Sequence, residues 1–287
     1  MDKFLDVIKA IIYGIVEGVT EWLPVSSTGH LILVEALLPF KNVSEGFFDM
    51  FDVVIQLGAI LAVVILFWKK IWPFQLPAGQ VDPEPGLMGY VKRDKIILWI
   101  KIMVACVPAA VIGVLFDDVF DALFYNPTCI ALALIVFGVA FIAVENWNKG
   151  RKAKVRRLDD ITYKTALIIG VFQLIAAIFP GTSRSGATIV GALLIGVSRT
   201  VAAEFTFFLA IPVMFGASLL KVLKFGFAFT AMEVVLLLIG TVVAFAVSVF
   251  IVRFLMGFIK KHNFKVFGWY RILLGVIVLL FGFLTQG

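Results

Sequence analysis

GIVEGVTEWLPVSSTGH (residues 14–30) and GVFQLIAAIFPGTSRSG (residues 170–186) lie 156 positions apart and repeat one design, an apolar run broken by a turn rich in Pro, Gly and hydroxyl residues. Gly14 matches Gly170, Glu17 matches Gln173, Pro24 matches Pro180, Ser26 matches Thr182 and Ser27 matches Ser183. Paired interruptions of hydrophobic segments in the two halves of a chain point to a site near the bilayer midplane. The functional site is therefore expected where the two turns meet.

The rest of the chain fits that membrane setting. With 62% hydrophobic and 15% charged residues over 287 positions, and a mean hydropathy of +1.06, it has more apolar surface than one soluble core can hide. The expected class is an all-α polytopic membrane protein. Residues 48–68, 96–116, 127–144, 204–220, 234–252 and 266–284 are long and apolar enough to span, about six transmembrane helices. Residues 4–38 and 163–197 instead read as pairs of half-length helices around a polar turn, that is, re-entrant helical hairpins. Non-helical backbone is tolerated at that depth only where protein or water covers it. No cleavable leader is expected, because Glu17 breaks the first apolar run and no small-residue cleavage site follows. Cys106 and Cys129 lie in apolar runs, which argues against a disulfide framework or a cysteine metal site. The net charge of +6 would favour nucleic acid in a soluble protein, but here its distribution matters more and no nucleic-acid partner is expected.

Basic residues set the orientation. The connections at 69–95, 147–164, 198–203 and 253–265 carry 17 Lys or Arg, whereas those at 1–6, 39–49, 117–126, 221–232 and 285–287 carry 4. The first set is cytoplasmic by the positive-inside rule. Both termini then lie outside, the first hairpin enters from the outer face and the second from the cytoplasm. Each half is one hairpin plus three spans, residues 1–150 and 151–287, and an odd number of spans makes the second half an inverted-topology repeat of the first. The 69–95 connection, with its Pro83-Glu84-Pro85-Gly86 run, reads as a flexible connector without chemistry. Lys101 and Arg271 fall one to two turns inside cytoplasmic helix ends, where long side chains snorkel to the interface.

The chemistry concentrates in the two turns. Glu17 and Glu21, spaced i and i+4, share a helix face, and two carboxylates at membrane depth are costly unless a cation, a proton or a basic side chain compensates. Hard oxygen ligands suit Mg²⁺ or Ca²⁺. PVSSTGH adds Ser26, Ser27, Thr28 and His30, and a hydroxyl-rich turn leading into a helix presents donors to an anion. The second histidine, His262, sits in the basic stretch KKHNFK and reads as solvated. PGTSRSG supplies Thr182, Ser183, Arg184 and Ser185; an arginine at that depth needs an anion, and its planar fork fits phosphate. An ion pair between Arg184 and Glu17 or Glu21 is compatible with such a role. Acidic pair, hydroxyls, His and Arg together describe phosphoryl transfer. Ser27 is the favoured nucleophile because it lies between the acidic pair and His30, with His30 and water as the alternatives.

EGVTEWLPVSSTGH and PGTSRSGAT closely resemble the two signature motifs of the bacterial undecaprenyl-diphosphate phosphatase family, and the resemblance extends through FDVVIQLGAILAVVILFW and SRTVAAEFTFFLAIP. It implies an integral membrane enzyme that removes the terminal phosphate of undecaprenyl diphosphate and of other prenyl diphosphates. Such an enzyme regenerates the carrier lipid for cell-wall synthesis and confers bacitracin resistance. It also implies a divalent cation, an inner-membrane location and a site open to the periplasm. Its acidic motif falls on Glu17 and Glu21, its hydroxyl and histidine on Ser27 and His30, and its arginine on Arg184. Thr182 stands where many members are expected to carry a bulky apolar residue. A homodimer is compatible with this reading and is not specified by the sequence. Phosphatidic-acid-phosphatase-type enzymes share only a partial echo in Thr28-Gly29-His30 and need a second histidine that this chain does not offer. The rival of a different class is a transporter or flippase for phosphate or a polyprenyl-phosphate headgroup, since inverted repeats with re-entrant tips are a transporter architecture. The acidic pair favours chemistry, because simple anion binding has no use for it.

Overall fold

A computed structural model describes residues 2–74 and 90–286, which leaves the Pro83-Glu84-Pro85-Gly86 run outside the described residues. The described chain is helical apart from turns and two isolated bridges, Phe74 with Val91 and Val155 with Val197. Its helices are α1 (Asp2–Thr20), α2 (Ser27–Leu37), α3 (Phe47–Leu66), α4 (Trp68–Ile71), α5 (Arg93–Phe124), α6 (Pro127–Trp147), α7 (Tyr163–Ile178), α8 (Arg184–Leu194), α9 (Arg199–Phe225), α10 (Ala231–Phe258) and α11 (Lys265–Gln286). Six are long and apolar enough to cross a membrane: α3, the Arg93–Gly113 part of α5, α6, α9, α10 and α11. They coincide with the six expected spans. The two hairpin regions fold as α1–turn–α2 and α7–turn–α8, with first arms of 19 and 16 residues and second arms of 11 each. The first arms are thus longer than the expected half-length.

Helices run into several of the expected connections: α9 already starts at Arg199 within 198–203 and continues to Phe225 within 221–232. Residues 117–126 likewise do not form a loop; α5 continues to Phe124 as a 32-residue helix, about 48 Å at 1.5 Å per residue, and only Tyr125 and the Asn126 cap separate it from α6. Pro108 inside α5 is tolerated because packed neighbours compensate the backbone bond it removes.

Helix pairs close on small residues, as expected where lipid offers no hydrophobic drive for association. The Gly14-x-x-x-Gly18 face of α1 lies on α10, and a Cβ on Gly14 would stand 2.7 Å from the Gly240 carbonyl oxygen. Gly170 of α7 meets the Ala105 backbone of α5 so closely that no Cβ fits. α6 and α11 cross at Gly138 and Gly268, each against the other's carbonyl. The hairpins therefore lean on spans from the opposite half, α1 on α10 and α7 on α5, so the stretches 1–150 and 151–287 interlock.

Polar contacts group the helix ends into two sets. Glu145 at the end of α6 accepts from Arg199 at the start of α9 and from the Phe264 backbone N–H just before α11, while Lys70 of α4 pairs with Glu204 of α9. Asp6 in α1 accepts from the backbone of Lys41 and Asn42, and Glu233 at the start of α10 accepts from Ser44 just before α3. Beside an apolar core, charged side chains such as Glu17, Glu145, Glu233 and Arg271 are inside, and large apolar ones such as Phe250, Phe283 and Leu284 are outside. A solvent of lipid accounts for that arrangement.

Candidate active site

The turns at 21–26 and 179–183 meet in the interior. Each ends in a serine with left-handed backbone, Ser26 at φ 74° and Ser183 at φ 66°, the only positive-φ non-glycine residues among those described. Each side chain caps the helix that follows: the Gly29 N–H donates to Ser26 Oγ (3.3 Å) and the Gly186 N–H to Ser183 Oγ (3.2 Å). This local geometry makes Ser26 the counterpart of Ser183, and Ser27 the counterpart of Arg184, one residue away from the pairing read in the sequence. The second turn has one more residue between its proline and its cap than the first, which an alignment on Pro24 and Pro180 does not absorb.

Glu21 joins the two turns. Ser27 Oγ donates to its Oε2 (2.9 Å), Arg184 Nη2 donates to its Oε1 (2.7 Å), and Ser185 Oγ donates to its backbone carbonyl (3.2 Å). Arg184 also reaches the Thr206 carbonyl (3.4 Å) and Met214 Sδ (3.3 Å) on α9. Ser183 Oγ lies 3.1 Å from Ser185 Oγ. A hydroxyl, a guanidinium and a carboxylate drawn from chain segments more than 150 residues apart thus share one partly buried cluster. Thr28 adds no hydrogen bond to it among the described residues, and the Thr182 hydroxyl is buried without a partner.

Glu17, one turn before Glu21 on α1, is fully buried, and neither carboxylate oxygen has a hydrogen-bond partner among the described residues. The carboxylates of Glu21 and Asp52 repel its charge and the Arg184 guanidinium attracts it. An orphaned buried carboxylate of this kind fits a hard divalent cation. No three acidic, His or Cys side chains gather as a ready-made metal cage among the described residues, so hydroxyls, substrate oxygens or water would complete such a site.

His30, one turn after Ser27 on α2, makes no hydrogen bond to it among the described residues. Its Nδ1 lies 2.7 Å from the Ser26 carbonyl and its Nε2 2.7 Å from the Tyr270 hydroxyl, with the two rings stacked at 5.6 Å between centroids. A carbonyl only accepts, so in the neutral ring Nδ1 carries the proton and Nε2 accepts from the Tyr270 O–H.

Sequence reading missed several participants. Arg271 does not snorkel: it is fully buried, donating through Nη2 to the Thr182 and Gly181 carbonyls (2.6 and 3.0 Å) and through Nη1 to the Pro24 carbonyl (3.3 Å). Its depth near a helix end suggested the interface, but α11 turns that face toward α2 and the tips. An arginine within a span is by default a functional residue, and that signal was available. Lys101, by contrast, sends Nζ to the Asp159 carbonyl (3.3 Å) in the connection before α7. Tyr270 and the Thr206-to-Thr188 hydroxyl bond (2.9 Å) carry no local sequence signal and become visible only through packing, whereas Asp52, a carboxylate within the span at 48–68, carried the same signal as Arg271.

Taken as a class, this is a polytopic all-α membrane protein with a cluster of polar and charged side chains in its interior. A family profile described as "Bacitracin resistance protein BacA" matches residues 10–277, and the chain belongs to that family. It is 64% identical to the "Undecaprenyl-diphosphatase" of Desulfitobacterium hafniense, an alignment covering 96% of each chain. It is 60% identical to the protein of the same name from Enterococcus faecalis, over 96% of this chain and 97% of that one. It is 58% identical to "Undecaprenyl-diphosphatase 1" of Clostridium acetobutylicum, over 97% and 98%.

Proposed function

We propose that this protein is an undecaprenyl-diphosphate phosphatase, an enzyme that hydrolyses the terminal phosphate of the lipid to give undecaprenyl phosphate and inorganic phosphate. That activity returns the carrier lipid to cell-wall synthesis and accounts for bacitracin resistance. The names of its relatives support the substrate, and one observation carries the chemistry: Ser27 and Arg184, from different turns, hold the two oxygens of one carboxylate, Glu21.

In this reading Arg184 exchanges part of its pairing with Glu21 for the terminal phosphate, which its planar fork grips on two oxygens. Ser27 Oγ attacks the terminal phosphorus, Glu21 accepts the hydroxyl proton along the bond already formed, and the anhydride P–O bond breaks to release undecaprenyl phosphate. Water then attacks the phosphoserine, releasing inorganic phosphate and restoring the Ser27 hydroxyl. Backbone N–H groups at the start of α2 and α8 face the developing charge. A Mg²⁺ or Ca²⁺ held by Glu17 with Glu21 would neutralise phosphate charge. His30, with both nitrogens engaged, orients the Ser26 cap and is available as a proton relay once Tyr270 releases Nε2.

The inverted repeat is part of this proposal. The common serine-cap geometry of the two tips supports it, as does the grouping of helix ends: the set tied by Glu145 adjoins the basic connections, and the set tied by Asp6 and Glu233 adjoins the sparsely charged ones. The basic set faces the cytoplasm of a bacterial inner membrane, with both termini outside and the site open to the periplasm. Shorter prenyl diphosphates share the headgroup and are accepted; a homodimer remains compatible. Release of inorganic phosphate from undecaprenyl diphosphate by purified protein in detergent tests the reading. Activity that disappears in Ser27→Ala supports it, whereas a transporter needs a closed bilayer and would release none.

A further inference from the structure

We infer that Arg271 is a positioning residue for the phosphatase reaction, holding the two tips in register so that Ser27 and Arg184 face one phosphate. The inference rests on the function proposed above.

Non-helical carbonyls at membrane depth need donors, and the tips present three that their own helices cannot satisfy: Pro24 in the first, Gly181 and Thr182 in the second. One guanidinium supplies donors to all three. It is the single side chain that bonds the backbone of both turns among the described residues, from α11, which belongs to neither hairpin. Its Nε has no partner, its ring neighbour is Phe137 at 5.9 Å, and no carboxylate pairs with it among the described residues. A buried charge without a counter-ion is costly, and a neutral apolar side chain would fill the space at less expense. What the guanidinium adds is a rigid planar fork with donors fixed in direction.

The held carbonyls sit one or two residues before the strained caps. Ser26 and Ser183 persist at positive φ only because the surroundings over-determine them. The next residues along the chain are Ser27 and Arg184, so a shift of either tip displaces the nucleophile relative to the phosphate clamp across Glu21. Arg271 touches none of the proposed reacting groups itself.

Arg271→Lys and Arg271→Gln, purified in detergent, test this through kinetics and through hydrogen–deuterium exchange of the tips. The expected result is a folded protein whose kcat falls roughly 10- to 100-fold, the size of effect a displacement of about 1 Å produces, with KM within about threefold of the parent. Amides at 21–30 and 180–188 should exchange faster while those of α6 and α10 keep their protection. Parental kcat in a folded variant would overturn the inference, as would a loss of kcat with unchanged exchange at the tips. Loss of protection throughout, or failure of both variants to fold, would make Arg271 a residue of the fold as a whole and equally overturn it. If Ser27→Ala and Arg184→Ala keep full activity, the functional reading fails instead, and the exchange data still decide whether Arg271 holds the tips.

Discussion

Glu21 gives one oxygen to Ser27 and the other to Arg184, so changes at these residues should behave as changes to one unit. Arg184→Lys should fail to restore the turnover lost in Arg184→Ala, since a point charge does not reproduce a bidentate grip. Ser27→Ala combined with Arg184→Ala should cost much less in kcat/KM than the two single losses together, and fully additive losses would move the nucleophile's role to His30 or water. Glu17 is different in kind, because its carboxylate is buried with no hydrogen-bond partner among the described residues. Glu17→Gln should lower turnover about 100-fold, the scale of a single electrostatic contribution in an enzyme site, and flatten the Mg²⁺ or Ca²⁺ titration that chelation with EDTA reveals in the parent. Normal turnover with an unchanged titration would remove the cation site. At this scale the sequence was informative where the reason is local: paired carboxylates, hydroxyl clusters and a lone intramembrane Arg announce a cost that something must offset. It was silent on Tyr270, whose partner comes from another helix, and misleading on Arg271, where depth along a helix was legible but facing was not.

Each tip is a helix–turn–helix whose second arm begins at a left-handed serine cap. At Ser26 the backbone φ of 74° favours glycine, while the side-chain oxygen favours serine. Ser26→Gly should therefore lower the melting midpoint in detergent only slightly, the equivalent of a few tenths of a kcal/mol. Ser26→Val loses the cap and places a β-branched side chain at positive φ, and should melt well below the glycine variant. Equal melting of the two would show that the left-handed conformation is not under strain. The elements themselves were readable, because hydropathy and turn residues are local quantities: six spans and two interrupted hairpins fall where expected. The register between the two turns was not, since one extra residue after Pro180 changes which side chain caps and which faces the cluster. Nor was the helical continuation of α5 through 117–124, which reads as a connection between spans and where the i to i+4 ladder nevertheless carries on.

Across the whole molecule, helix ends tied by Glu145 gather with the basic connections, and those tied by Asp6 and Glu233 gather with the others. In a background lacking Cys106 and Cys129, a cysteine placed at Lys41 should react with a membrane-impermeant thiol reagent in intact cells, and one at Lys152 or Lys261 should not. The reverse pattern would turn the site to the cytoplasm. The sequence by itself determined the class, the spans and the two polar turns, because the cost of exposing backbone or charge to lipid is paid residue by residue and leaves its mark in composition and order. Only the tertiary structure decided which groups meet. α1 leans on α10 and α7 on α5 through contacts without room for a side chain, and that crossing brings Ser27 and Arg184 onto one carboxylate and Arg271 beneath both tips. Such encounters depend on the distance and facing of helices more than 60 residues apart in the chain, which no local pattern encodes.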